Sequence, residues 1–227
     1  MIEGKDLPSG SFIYSEDEFF KNLQNIKCTK SFIIPQLEQL AFIKDIACGE
    51  EHSIILDNED NLWTFGLNYN GQLGLGHNME TPNPEKIQKF TKNKIKKIES
   101  EGDISFAVTE PGEVFMWPIR NIKTGDVNSI PKLINLPEKI SYVACGGGFV
   151  LFLSTNGMVF SMGKSNVYGQ LGHGDAKPRL KPTLIEIFAT HNERISQISC
   201  GFKHCVAKSF NNKAYSWGLV NIFIKFF

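Results

Sequence analysis

The chain has 227 residues, 41% hydrophobic and 21% charged, with 24 basic and 24 acidic side chains. That balance excludes a disordered chain and any global attraction to nucleic acid or an anionic membrane, and it leaves enough apolar residues for one domain or an array of smaller units. Met1 to Ser11 is polar and carries Glu3, Lys5 and Asp6 where a secretory signal needs an apolar core, and no apolar run reaches membrane-spanning length. Five cysteines without a secretion signal read as free thiols of a reducing compartment, so cytosol or nucleus is expected.

In chain order, the first feature is Phe12/Tyr14, two bulky residues flanking one other, as expected of a strand's buried face. Asp17 to Lys27 has helical apolar spacing through Phe19, Phe20, Leu23 and Ile26. The bulky pair then recurs as Trp63/Phe65, Phe115/Trp117, Phe160/Met162 and Tyr215/Trp217, at intervals of 51, 52, 45 and 55 residues. Ahead of each complete pair lies an apolar run, at Ser53–Leu56, Ser105–Val108, Val150–Leu153 and Cys205–Lys208. Asp60, Gly112, Gly157 and Asn212 stand at one equivalent place between run and pair, and these residue types tolerate positive φ, so each linker is predicted to close a β-hairpin.

Further upstream come Ile43–Cys48, Ile95–Ser100, Ile140–Cys145 and Ile195–Cys200, each preceded by a segment led by Pro35, Pro84, Pro131 or Pro182. Proline suits a strand start or an outer edge, where a missing N–H is tolerated. The repeating unit is thus predicted to be four strands. The chain divides into a leading segment at 1–34, four repeats at 35–66, 84–118, 131–163 and 182–218, and a divergent apolar tail at 219–227.

Two further motifs repeat. Cys48-Gly49-Glu50-Glu51-His52 is echoed by Cys145-Gly146 and by Cys200-Gly201-Phe202-Lys203-His204, and Gly71-Gln72-Leu73-Gly74 by Gly169-Gln170-Leu171-Gly172. With the strand endings at Gly66, Gly163 and Gly218, this combination resembles the regulator of chromosome condensation repeat family over about residues 12 to 218. The resemblance implies an all-β fold, a β-propeller of four-stranded antiparallel blades, normally seven and here partial, with about four blades plus one leading strand. It also implies either guanine-nucleotide exchange on a small GTPase, the founding member's role, or a non-enzymatic interaction module. Fold alone does not choose between them.

The departures are specific. The second unit has Ser100-Glu101 for Cys48-Gly49 and Ile104 for His52, and Trp117-Pro118 runs into Ile119–Ile130 with no Gly-Gln-Leu-Gly. Leu219 to Phe227 stands where the fourth unit's motif loop belongs. A partial array is expected to leave two blade faces without a neighbour, which favours self-association.

No convergent catalytic constellation, metal site or cofactor site is expected. The Cys and His residues recur at blade spacing without paired Cys-x-x-Cys geometry, which points to packing rather than zinc. Gly66, Gly71, Gly74, Gly163, Gly169 and Gly172 lack the Gly-Lys-Ser/Thr ending and the strand-to-helix setting of phosphate loops. Lys89, Lys92, Lys94, Lys96 and Lys97 form a basic run without interleaved aromatics; a solvated edge is the plainer reading, and a chromatin contact the other. Partner contact is expected from the turns after each Cys-Gly strand, which emerge on one rim. Glu50, Glu51, Asp103 and Lys203 are the candidate recognition residues there, for a protein partner such as a small GTPase.

Overall fold

A computed structural model of the chain describes residues 34, 37, 42–120, 125 and 127–219, with Arg120 described in its backbone alone. The predicted strand at Phe12/Tyr14, the helix at Asp17–Lys27, the Pro35 segment and all of the tail beyond Leu219 lie outside them. The chain separates into Met1–Glu38 and Gln39–Phe227, and the described strands belong to the second unit.

Its first sheet joins β1 (Ile43–Cys48), β2 (His52–Asp57), β3 (Leu62–Gly66) and β4 (Thr81–Lys86) in that order. The second begins with β5 (Ile95–Glu101), β6 (Ile104–Thr109) and β7 (Val114–Trp117). A separate two-stranded hairpin, β8 (Ile119–Arg120) and β9 (Val127–Asn128), then intervenes before β10 (Lys132–Leu133) completes the sheet beside β7. The third repeats the pattern with β11 (Ile140–Gly146), β12 (Phe149–Ser154), β13 (Val159–Gly163) and β14 (Arg179–Leu184). A short helix, α1 (Glu186–Thr190), leads to a three-stranded sheet of β15 (Ile195–Cys200), β16 (His204–Ser209) and β17 (Ala214–Gly218). All pairings are antiparallel.

The hairpins stand where Asp60, Gly112, Gly157 and Asn212 predict them, and all four residues have positive φ. The grouping of strands differs from the predicted units by one strand. Pro84 and Pro182 lie in β4 and β14, and Pro131 directly precedes β10; each of these strands pairs backward with the preceding aromatic-pair strand rather than opening the next blade. As outermost strands they lose nothing at the proline, whose ring supplies no N–H to a neighbour. The described sheets accordingly span 43–86, 95–133, 140–184 and 195–218.

Three apolar clusters weld these sheets in sequence. Ile54 and Leu56 of the first blade meet Ile95, Ile98, Phe115 and Trp117 of the second. Phe106 and Val108 meet Ile140, Val143 and Phe160, and Leu151 and Leu153 meet Ile195, Ile198 and Cys205. The pairs Phe115/Trp117, Phe160/Met162 and Tyr215/Trp217 therefore turn toward the blade before them. Ile98, Val143 and Ile198 are buried, yet their first-blade equivalent, Ile46, is 64% exposed. At the other end Val206 is 44% exposed, while Ile54, Phe106 and Leu151 at the same register are buried. These are the uncovered faces expected of an array whose first and last blades lack a described neighbour.

Candidate partner-binding rim

The turns at 49–51, 102–103, 147–148 and 201–203 join the first two strands of each blade. Gly66 pairs with His52 and Gly218 with His204, so the loop that leaves the third strand starts at the same end of the sheet. Turns and motif loops thus build one rim, and the hairpins at Asp60, Gly112, Gly157 and Asn212 lie at the opposite end.

The glycine of the Cys-Gly motif is required by close approach. A Cβ on Gly49 would stand 2.1 Å from His52 Cε1 and 2.5 Å from the Gly102 carbonyl, and one on Gly201 would stand 2.3 Å from His204 Cε1. In the third blade Phe149 takes the place of histidine, and its ring comes as close to Gly146. With no side chain in the way, the rim turns link blade to blade: Glu50 N–H donates to Gly102 O at 2.9 Å, and Gly147 N–H to Phe202 O at 3.0 Å.

His52 is structural. Its Nε2 lies 2.8 Å from Ser105 Oγ and 2.9 Å from Ser100 Oγ, both on the second blade. Those hydroxyls donate to the carbonyls of Gln72 and Ile104, which leaves Nε2 to donate and Nδ1 unprotonated and without a partner. Burial lowers the His52 pKa to about 4, against the smaller opposing influence of the Asp103 charge. His204, the same repeat position in the last blade, is exposed because no described blade follows to receive it.

The Gly-Gln-Leu-Gly loops are plugs. Asn68 Oδ1 accepts the Leu73 amide while its Nδ2 donates to His77 O and Met79 O, and Asn166 does the same for Leu171, Asp175 O and Lys177 O. So held, Leu73 and Leu171 are fully buried. The Gln72 carbonyl accepts Trp117 Nε1–H at 3.0 Å, and the Gln170 carbonyl accepts Trp217 Nε1–H at 2.9 Å. Each loop is therefore latched by the tryptophan of the following blade. Trp63, with no described loop before it, donates instead to Asp57 of its own sheet. Neither the asparagines nor the latch is identified from sequence. The available signal is that the motif loop and a tryptophan in the next unit occur together, and that Met162 stands where the preceding loop is missing.

The four predicted recognition residues share this rim but differ in their engagement. Glu50 and Glu51 are exposed. Asp103 is half-buried and accepts bonds from Asn70 Nδ2 at 2.7 Å and Gln72 Nε2 at 3.3 Å, so it anchors the neighbouring motif loop. Lys203 is half-buried, with its ammonium 5.1 Å from the Tyr168 ring centroid and 6.0 Å from that of Phe202. Three aromatics join them: Phe202, which the motif places in the rim turn beside Lys203, 68% exposed and lying against Gly147; and Tyr69, 67% exposed and bonded to Glu80, and Tyr168, which motif reasoning does not select.

The other sequence features fall elsewhere. Lys97 pairs with Asp45 of the first blade at 3.1 Å, while Lys92, Lys94 and Lys96 are exposed at and just before the start of β5. Cys48, Cys145, Cys200 and Cys205 are free. Burial pushes the Cys145 thiol well up, and the Cys200 sulfur together with burial raises Cys205, so neither is an activated nucleophile. Among the described residues no group of three potential ligands could hold a metal ion, and no helix is long and apolar enough to cross a membrane.

Blades of this order, rim turn and plug loop define a repeat propeller. Models of the regulator of chromosome condensation (RCC1) repeat match residues 59–108 and 156–207, and 43–72, 140–170 and 195–221, and the chain belongs to that family. It is 38% identical over 183 residues to the ultraviolet-B receptor UVR8 of Arabidopsis thaliana, covering 78% of this chain and 41% of the relative. Human WBSCR16 superposes with a TM-score of 0.69 at 25% identity, over 80% of this chain and 49% of that one. Yeast RCC1 (Prp20), solved bound to Kap60, gives 0.65 at 27% identity, over 78% and 43%. The chain thus spans less than half the length of each.

Proposed function

We propose that this chain is a non-enzymatic interaction module whose rim receives a protein partner. The observation that carries the reading is the display of Tyr69 and Tyr168 on latched loops and of Phe202 on a turn bonded to Gly147, beside the charges of Glu50, Glu51 and Lys203. Large aromatics presented by a rigid frame with charged neighbours are the composition of interface hot spots. The frame limits the ordering cost on binding, because the turns are already bonded between blades. The yeast relative, solved bound to Kap60, is a member of this repeat family with a protein partner.

The reading is tested by capture from cell extract with the intact chain and a variant carrying Glu50→Arg, Glu51→Arg and Phe202→Ala. Hot-spot loss is expected to reduce recovery of a specific partner at least about tenfold. The same three positions are exposed, so the thermal midpoint is expected to stay within about 2 °C. Undiminished recovery by the variant would overturn the proposal.

A further inference from the structure

Two of the three described blade junctions are plugged, by Leu73 between the first and second blades and by Leu171 between the third and fourth. In each, the plug's glutamine carbonyl meets two donors from the following blade: Ser105 and Trp117 for Gln72, Cys205 and Trp217 for Gln170. The junction between the second and third blades departs in three ways at once. The motif loop is absent, Val150 replaces the Ser or Cys, and Met162 replaces the Trp.

A cavity of about 490 Å³ occupies that junction. Phe106, Met116, Val150 and Met162 line it, and the exposed Ile104 and Leu180 lie along it. The substitutions run in one chemical direction. Hydroxyl or thiol and indole N–H groups aimed at a carbonyl have given way to an isopropyl group and a thioether, which need no polar partner. Glu101, Asp103, Lys164 and Arg179 also line the cavity, but against Val150 and Met162 themselves a peptide carbonyl would find no side-chain donor, while an aliphatic side chain would meet apolar groups there.

The geometry points to a docking slot for a partner's peptide, entered by one bulky aliphatic side chain of the leucine type while the peptide backbone stays at the rim. The sister junctions show that the space between these blades accepts a leucine carried by a short loop. The slot opens beside the turns at 102–103 and 146–148, on the rim proposed to receive a protein partner, and the class of occupant rests on that reading. The slot then supplies an apolar anchor between the charged and aromatic groups of the neighbouring turns.

The test uses the intact chain with ¹³C-labelled methionine and isoleucine methyls. It is titrated with the acetylated, amidated peptide Gly-Gln-Leu-Gly, the sequence of residues 71–74, and with its Leu73→Asp counterpart. Saturable shifts of the Met116, Met162 and Ile104 methyls are expected with the leucine peptide, and at least about tenfold weaker binding with the aspartate peptide. Ile104→Asp and Leu180→Asp, each at an exposed position, are expected to weaken binding at least about tenfold while other methyls keep their positions. Absence of saturable shifts up to about 10 mM, equal binding of the two peptides, or shifts centred on Ile54 or Ile198 would overturn the proposal. Saturation by isoamyl alcohol with no gain from the peptide would assign the slot to small apolar molecules and overturn it too. The peptide assay is independent of the rim variants: partner capture lost in those variants, with no peptide in the slot, would sink the slot alone.

Discussion

Replacing Trp117 with Ala is expected to lower unfolding stability by about 3–5 kcal/mol, a large share of the total for a domain of this size. The side chain is fully buried in the cluster between the first and second blades, with Phe90 at a ring-centroid distance of 6.2 Å. Its Nε1–H also holds the Gln72 carbonyl, so truncation opens a cavity and frees the plug that buries Leu73. Trp117→Phe separates the two effects. It keeps most of the apolar bulk and removes the donor, leaving the carbonyl only Ser105 Oγ at 3.4 Å, and is expected to cost about 1–3 kcal/mol. Trp63→Ala, on the uncovered face of the first blade, is expected to cost less than half as much as Trp117→Ala. Urea unfolding of the three variants with unchanged m-values measures the order.

Acidification is expected to weaken the same junction through His52. Its folded pKa of about 4 lies below the ordinary histidine value of 6.5, so the unfolded chain binds the extra proton first as pH falls. The sign is fixed by that order: the contribution of neutral His52 is complete above about pH 6.5 and is lost progressively toward pH 4. Between pH 7 and pH 5, above the range of ordinary carboxylates, the loss amounts to about 2 kcal/mol. The protonated ring would place a second N–H on Nδ1, which faces Gly49 and has no acceptor. His52→Phe copies the third blade, where Phe149 packs on Gly146, and is expected to abolish this pH step. Unfolding titrations of both proteins at the two pH values compare the slopes; an equal loss in the Phe variant would remove His52 as the cause.

Much of the blade was legible because its determinants are local. Asp60, Gly112, Gly157 and Asn212 announce hairpins through backbone conformations that few residues tolerate, and paired aromatics two residues apart mark a buried strand face. The assignment of the proline-led strands was not legible. An outer strand can pair with the hairpin before it or the one after it, and alternation along Thr81–Lys86 is the same in both cases. The Gln72–Trp117 latch joins residues 45 positions apart, beyond any periodicity within one repeat. Within the rim, charge drew attention to Glu50, Glu51, Asp103 and Lys203, but only the folded chain separates the exposed Glu50 and Glu51 from Asp103, bonded to Asn70 and Gln72.

The division of labour between latched junctions and a recognising rim is tested most directly by site-specific photo-crosslinking in cell extract. A photoreactive amino acid is placed singly at Glu50, Glu51 or Phe202, and at Glu59, Asn156 or Asn211 in the turns of the opposite end. One discrete adduct shared by the first three positions and absent from the second three is expected of a recognising rim; adducts of equal yield from both ends, or from the hairpin end alone, would contradict it.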